Sequence, residues 1–284
     1  MSGTVCVISE SGEVLRYDGN GTSWHHIGGS AVEPAVQIIS GDWGLVARKG
    51  FTGNTYHFYN GGNEWEDMGG PRGMASIGHE TAFAFPRDDV PDLPLGVYQF
   101  DGYDQNNGSP LWSKIGPAEQ GCLAGKWGVV GYRGGGFGPD TKFYHYTGTP
   151  NVWDHIGYGT GGLAMVVGQD TVYRVGSDWA LEQYDGTGTS WTKISEPLVN
   201  HGVTMAYGLF GLVYSDHNTN SMYLYLGEPN AWQRIGPHRP WFAVTDDTVY
   251  AIPLDRSGVY RYDGDTWTRI LRGRVKDNYI VATD

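Results

Sequence analysis

The chain has 284 residues, among them 45 glycines, 11 tryptophans and 19 tyrosines, and carries a net charge of −12 with a pI near 5.1. So acidic a surface does not suit a nucleic-acid backbone or an anionic membrane, which call for clustered Lys and Arg. No apolar run approaches the roughly 18 residues of a membrane span, and the first residues lack the basic and apolar regions of a signal peptide.

In chain order, Thr4-Val5-Cys6-Val7-Ile8 is a short apolar strand. Then Tyr17-Asp18-Gly19 leads to Trp24-His25-His26-Ile27-Gly28. That unit is an aromatic, a turn rich in Gly and Asp or Asn, a Trp, two residues, an aliphatic and usually Gly. It returns as Phe58-Tyr59-Asn60-Gly61 to Trp65 and Met68, Phe100 to Trp112 and Ile115, and Tyr146 to Trp153 and Ile156. Tyr184 to Trp191 and Ile194, Tyr225 to Trp232 and Ile235, and Tyr262 to Trp267 and Ile270 complete the series. The steps between these tryptophans are 41, 47, 41, 38, 41 and 35 residues, and a period near forty in such a chain means repeated β-units.

The last repeats are the clearest. Trp241-Phe242-Ala243-Val244 is a short apolar run, Asp246-Asp247 a turn, and Thr248 to Ile252 alternates. Val259 to Tyr262 alternates again, Asp263-Gly264-Asp265 turns the chain, and Thr266 to Ile270 closes the unit. Four short strands joined by tight turns predict an antiparallel meander, and no long 3.6-residue apolar period predicts a helix. Seven such units predict an all-β, seven-bladed β-propeller over residues 1–284, in which each sheet buries both faces against its neighbours. The repeated Trp packs between blades, where burying a ring is worth about 2–3 kcal/mol. The termini complement each other. The first strand, from Thr4, matches the second strand of a repeat, and residues 278–284 match the first. The C-terminal strand is therefore expected to complete blade 1 and close the ring. Cys6 and Cys122 fall in different blades and are expected to be buried thiols.

The pattern aromatic–x–Gly…Trp–x–x–Ile–Gly resembles that of tectonin-type and related bacterial and fungal propeller lectins. The seven-bladed fucose-binding lectins of insect-pathogenic bacteria are similar in blade number and spacing. The resemblance implies a propeller and sugar binding. The Gly-His and Trp-Asp pairs of WD40 blades and the paired glycines of kelch repeats are not in place. Asp18 to Trp24 and Asp263 to Trp267 look like degenerate Asp-boxes of sialidase propellers, but no arginine triad accompanies them.

A propeller has two rims. The loop rim carries the connections from strand four to strand one and from strand two to strand three; the turn rim carries the other hairpins. Fold-level analogy puts substrate sites on the loop rim, around the channel, or in grooves between blades. Trp43 and Trp127 recur at one repeat position, with Phe210 as a counterpart, and read as framework. Trp179 and Trp241 map to the loop rim and are candidates to stack on a sugar or planar ligand; packing on a neighbouring loop is the alternative. His57 and His145 are taken as one repeat position and His26 and His155 as another, each interchanging with long polar side chains, so all four are expected on exposed strand faces. His201 and His238 break the repeat in rim loops and are the candidate functional imidazoles. Arg72, Arg239, Asp178 and Asp216 complete the candidate ligand-binding set. The loop from Pro86 to Leu95, with Asp88, Asp89 and Asp92, could serve as a partial lid. No HExxH, CxxC cluster, Ca²⁺ loop, P-loop or GxSxG occurs, so neither metal, cofactor nor a recognised catalytic motif is expected.

The framework repeats but the polar rim does not, so seven identical ligand sites are not expected. Three readings remain. The first is a lectin for neutral glycans with few sites. The second is a single asymmetric pocket for a small molecule, with or without catalysis, where His201, His238, Arg72, Arg239 and Trp241 would converge. The third is a protein-binding scaffold. The expected partners are glycans or a small molecule, without nucleic acid or membrane insertion, and an oligomer is left open. The chain as written is expected in the cytoplasm, or outside the cell if a leader has been removed.

Overall fold

The computed structural model describes residues 4–29, 31–49, 56–59, 61, 64–69, 73–86, 95–117, 121–133, 140–159, 165–198 and 203–283. They form 28 strands and, among the described residues, no helix. Among the described residues no helix is long and apolar enough to cross a membrane.

Blade 1 contains β1 (Thr4–Ser9), β2 (Val14–Tyr17) and β3 (Trp24–His26). Blade 2 is β4 (Ala35–Gly41), β5 (Gly44–Lys49), β6 (Tyr56–Tyr59) and β7 (Trp65–Gly69). Blade 3 is β8 (Gly73–Ile77), β9 (Ala82–Pro86), β10 (Val97–Tyr103) and β11 (Pro110–Gly116). Blade 4 is β12 (Gly121–Ala124), β13 (Val129–Arg133), β14 (Thr141–Tyr146) and β15 (Trp153–Gly159). Blade 5 is β16 (Met165–Val167), β17 (Val172–Val175), β18 (Leu181–Tyr184) and β19 (Trp191–Lys193). Blade 6 is β20 (Val203–Gly208), β21 (Gly211–Asp216), β22 (Ser221–Tyr225) and β23 (Trp232–Pro237). Blade 7 is β24 (Trp241–Val244), β25 (Val249–Ile252), β26 (Gly258–Tyr262) and β27 (Trp267–Arg272), and β28 (Val275–Thr283) follows.

Each blade is a four-stranded antiparallel sheet, and the innermost strands adjoin around the centre, so the chain is a closed seven-bladed propeller. The closing strand β28 is the inner strand of blade 1. It pairs with β1 from Thr4↔Thr283 to Val7↔Ile280, as the complementary termini predict. β1 is apolar on both faces because both faces are buried: Val5 and Val7 pack toward blade 7, Cys6 and Ile8 toward blade 2. Cys6 and Cys122 are free, and burial pushes both thiols up to about 12, so neither ionises near neutral pH.

The repeat motif acts in two steps. Within each blade an aromatic of strand three faces a Trp of strand four, with centroids 4.9–5.4 Å apart in all seven. Each indole N–H then donates to the carbonyl of the aliphatic residue in the preceding blade. The bonds run Trp65 to Ile27 (2.8 Å), Trp112 to Met68 (2.7 Å), Trp153 to Ile115 (3.0 Å) and Trp191 to Ile156 (2.6 Å). Trp232 to Ile194 (2.9 Å), Trp267 to Ile235 (2.7 Å) and Trp24 to Ile270 (3.1 Å) complete the circuit. The glycine after the aliphatic leaves room for the next indole: a Cβ at Gly116 or Gly236 would lie 2.8 or 2.3 Å from the indole nitrogen of Trp153 or Trp267.

The structure corrects one alignment. In blade 2 the repeat aromatic is Tyr59, paired with Trp65, so Phe58 rather than His57 is the counterpart of His145. Trp43 packs on Phe58 at 4.4 Å and Trp127 on His145 at 4.2 Å, which confirms a framework role for these tryptophans. It also covers His145. His57, His145 and His155 are half-buried and only His26 is exposed, where exposure was expected for all four.

Candidate functional site

Arg239, His238 and Asp216 meet on the loop rim where blade 6 passes into blade 7. The Arg239 side chain is folded inward: its residue is 8% exposed, and its guanidinium carbon lies 4.3 Å from the Tyr260 ring centroid and 4.9 Å from that of Trp267. Its Nε is buried without an acceptor. Ser215 Oγ accepts the Arg239 backbone N–H at 3.1 Å and bonds His238 Nδ1 at 2.8 Å. The His217 ring lies 5.3 Å from that of His238.

Asp216 is buried and ties its own turn, accepting the Asn218 N–H at 2.8 Å and the Thr219 hydroxyl at 2.9 Å. Trp241 begins β24, pairs with Ile252 and packs between blades 7 and 1, beneath the Arg256 guanidinium at 5.8 Å. Asp178 and Trp179 lie in a separate loop in blade 5. Asp178 accepts the Ala180 N–H at 3.2 Å and pairs with Lys193, which holds its carboxyl below the usual range. Trp179 packs on the core between blades 5 and 6 and has φ 69°, a left-handed conformation a bulky side chain rarely adopts. Arg72, His201 and the 87–94 stretch of the expected lid lie outside the described residues.

Burial and the adjacent His217 hold His238 below the ordinary imidazole value, and burial does the same to His57 and His145. The fold thus favours the neutral rings. The stability this contributes is full above the unfolded value of 6.5 and is lost as pH falls through the depressed folded values. The melting temperature is expected to drop on acidification from pH 7. Since blade 2 carries Phe58 at the position of His145, His145→Phe should remove part of that drop. An identical pH profile for the variant would exclude His145 as a contributor.

Two concave features stand out among the described residues. The central channel holds a cavity of about 520 Å3, walled by inner strands from every blade, including Ile77, Leu123, Met205, Phe242 and Ile280. It reaches the 1–2 hairpins at Asp42, Lys126, Gln169 and Asp246, so it approaches the turn rim, opposite the rim that carries the predicted site residues.

The second is a groove of about 390 Å3 between blades 5 and 6, also on the turn rim. Tyr173 of β17 and Tyr207 of β20 stack there at 5.7 Å and 21°, flanked by Asp170, Gln183 and Asp185. Burial pushes the Tyr173 phenol up to about 12, so it stays a neutral hydroxyl donor. The sequence held a signal for this groove. Tyr207 stands where the other inner strands carry Ser40, Ile77, Ala124, Val167 and Val244.

Charge is segregated by rim. The described 1–2 and 3–4 turns carry twelve carboxylates: Asp18, Asp42, Glu64, Glu80, Asp104, Asp170, Asp185, Glu228, Asp246, Asp247, Asp263 and Asp265. Against them stands Lys126, giving a net −11 over the described turns of this rim.

No protein-family model matches the chain, and a search of curated proteins finds no match. Among solved structures the chain is similar to a functionally unknown protein from Desulfotomaculum acetoxidans, with TM-score 0.58 at 10% identity over 100% of both chains. It is also similar to apo AztD from Citrobacter koseri, with TM-score 0.55 at 10% identity over 100% of this chain and 98% of that one. At such identities the likeness shows the fold alone: the chain is a seven-bladed β-propeller.

Proposed function

We propose that this propeller binds neutral glycans, and that the groove between blades 5 and 6 is a principal site. The observation that carries the reading is the stacked Tyr173–Tyr207 pair beside Asp170 and Gln183. An aromatic face takes the apolar face of a sugar ring, while a carboxylate and an amide bond its vicinal hydroxyls. The net charge of −11 on this rim disfavours sulfated or sialylated chains, which leaves neutral saccharides as the fitting class. The repeat-level resemblance to propeller lectins supports the same reading. The site is not copied around the ring because Tyr207 is not copied.

The test is a glycan array followed by titration of the best neutral ligand. Tyr207→Ala should weaken binding about tenfold through loss of one stacking face, and Asp170→Asn should weaken it through loss of the charged acceptor. Trp179→Ala and Trp241→Ala, at the rim positions predicted from sequence, report whether loop-rim glycan sites coexist with the groove. A folded protein that binds nothing on the array sinks the proposal.

The channel favours a second reading, a single-pocket binder of one small amphipathic molecule, because its wall mixes apolar side chains with polar groups and varies from blade to blade. Filling it with Ala124→Trp would block such a ligand and leave glycan binding in the groove intact.

A further inference from the structure

Blade 7 reverses the charge of the molecule at the loop rim. Arg256, Arg269, Arg272 and Arg274 are exposed there, around the inward-folded Arg239. They are contiguous. The Arg269 guanidinium lies 6.0 Å from the Tyr260 ring that Arg239 covers, and donates to Ser257 O. Arg272 pairs across the sheet with Gly258, and the Val275 N–H donates to Arg256 O at 3.4 Å, which sets Arg274 beside Arg256. His217 and His238 border the cluster on the blade 6 side. Among the described residues the carboxylates beside it are Asp216, Asp255 and Glu10, and Asp216 is tied to its own turn. Asp255 is engaged by the Ser257 N–H at 3.0 Å, and Glu10 meets Arg274 at 3.4 Å.

Five arginines share this rim sector, and an exposed ion pair such as Arg274–Glu10 is worth little. An ordinary surface would intersperse the two signs. Here carboxylates crowd the turns of the opposite rim and arginines crowd this one sector. Arginine's planar fork of donors matches sulfate, phosphate and carboxylate oxygens. Buried Arg239 fixes the centre of the cluster: its guanidinium lies against two rings and its Nε has no acceptor.

We infer that the blade 7 arginine cluster is a second binding site, for a small organic anion carrying several sulfate, phosphate or carboxylate groups. It is independent of the glycan groove, which lies on the opposite rim. Either an acidic oligosaccharide or an organic polyphosphate would supply the chemistry.

The experiment titrates the intact chain with a fully sulfated oligosaccharide, its unsulfated form, inositol hexakisphosphate and inorganic sulfate, at low and at high salt. Binding of at least one multivalent anion, weakened by salt, is expected. The double variant Arg256→Gln/Arg274→Gln alters exposed side chains and should keep the melting temperature while weakening that binding at least about tenfold. Preference for the sulfated sugar assigns an acidic glycan. Preference for the inositol phosphate assigns a phosphorylated metabolite. Equal affinity assigns a site that reads charge density. Absence of binding to either multivalent anion at low salt overturns the inference, as does unchanged affinity in the double variant. So does equal binding of the unsulfated sugar. Tyr207→Ala should leave anion binding unchanged, which separates this site from the groove.

Discussion

A chain truncated after Arg274 is expected to lose cooperative folding. The deletion removes β28, the inner strand of blade 1, and with it the pairing to β1. Buried Val275 and Ile280 leave the cluster that joins blades 7 and 1, and Tyr279 and Val281 leave the one that joins blades 1 and 2. Thr283 O, which accepts the Thr4 hydroxyl at 3.0 Å, and Lys276, which donates to Ala35 O at 2.9 Å, go as well. A buried aliphatic is worth about 1.5–3 kcal/mol, so losing Val275 and Ile280 together with the partly buried Tyr279 and Val281 approaches the lower end of the roughly 5–15 kcal/mol that holds a domain folded. The circuit of indole bonds still has its Trp24–Ile270 link, but β1 is left as an unpaired inner edge, open to other chains. Urea unfolding and size exclusion check this, with a broad early transition and aggregates expected. An unchanged midpoint and slope would show that closure rests on the tryptophan circuit rather than on β28.

The architecture was legible because its signals are local and repeated. An aromatic facing a Trp across a tight turn is set by residues a few positions apart, and seven occurrences fix both blade number and strand order. The complementary termini revealed the closure for the same reason. The carbonyl partners of the indoles were not legible, since Trp191 and Ile156 meet only once two blades are docked. The off-by-one in blade 2 arose because Phe58 and Tyr59 both satisfy an aromatic pattern, and only register separates them. Singling out tryptophans and histidines by residue type led to Trp179 and Trp241, which the structure seats against the blade cores, and to Asp178 and Asp216, which tie their own turns. Position-by-position exceptions among the repeats point instead to Tyr207 of the proposed groove. The division of charge between rims was also readable, because turn residues identify themselves and their carboxylates can be counted.

The second large effect is expected at a buried pair that the repeat pattern does not announce. Arg174 of β17 and Glu182 of β18 are 7% and 8% exposed, and Arg174 Nε and Nη2 each lie 2.8 Å from the Glu182 carboxylate. The guanidinium carbon sits 3.7 Å from the ring centroid of Trp191, the tryptophan that links blades 4 and 5. Arg174→Met keeps an apolar stem of similar length over the indole but leaves the Glu182 charge buried without its partner. Removing one member of such a pair costs about 3–5 kcal/mol. The double variant Arg174→Met/Glu182→Leu should recover most of that loss, because two apolar side chains fill the space without desolvating a charge. Urea denaturation of the two single variants and the double closes the cycle. A single-variant loss below about 1 kcal/mol would show that water reaches Glu182 in solution and that the blade 4–5 interface is held by Trp191 alone. A large loss that the double variant fails to recover would place the contribution of Arg174 in its stacking on Trp191 rather than in its charge.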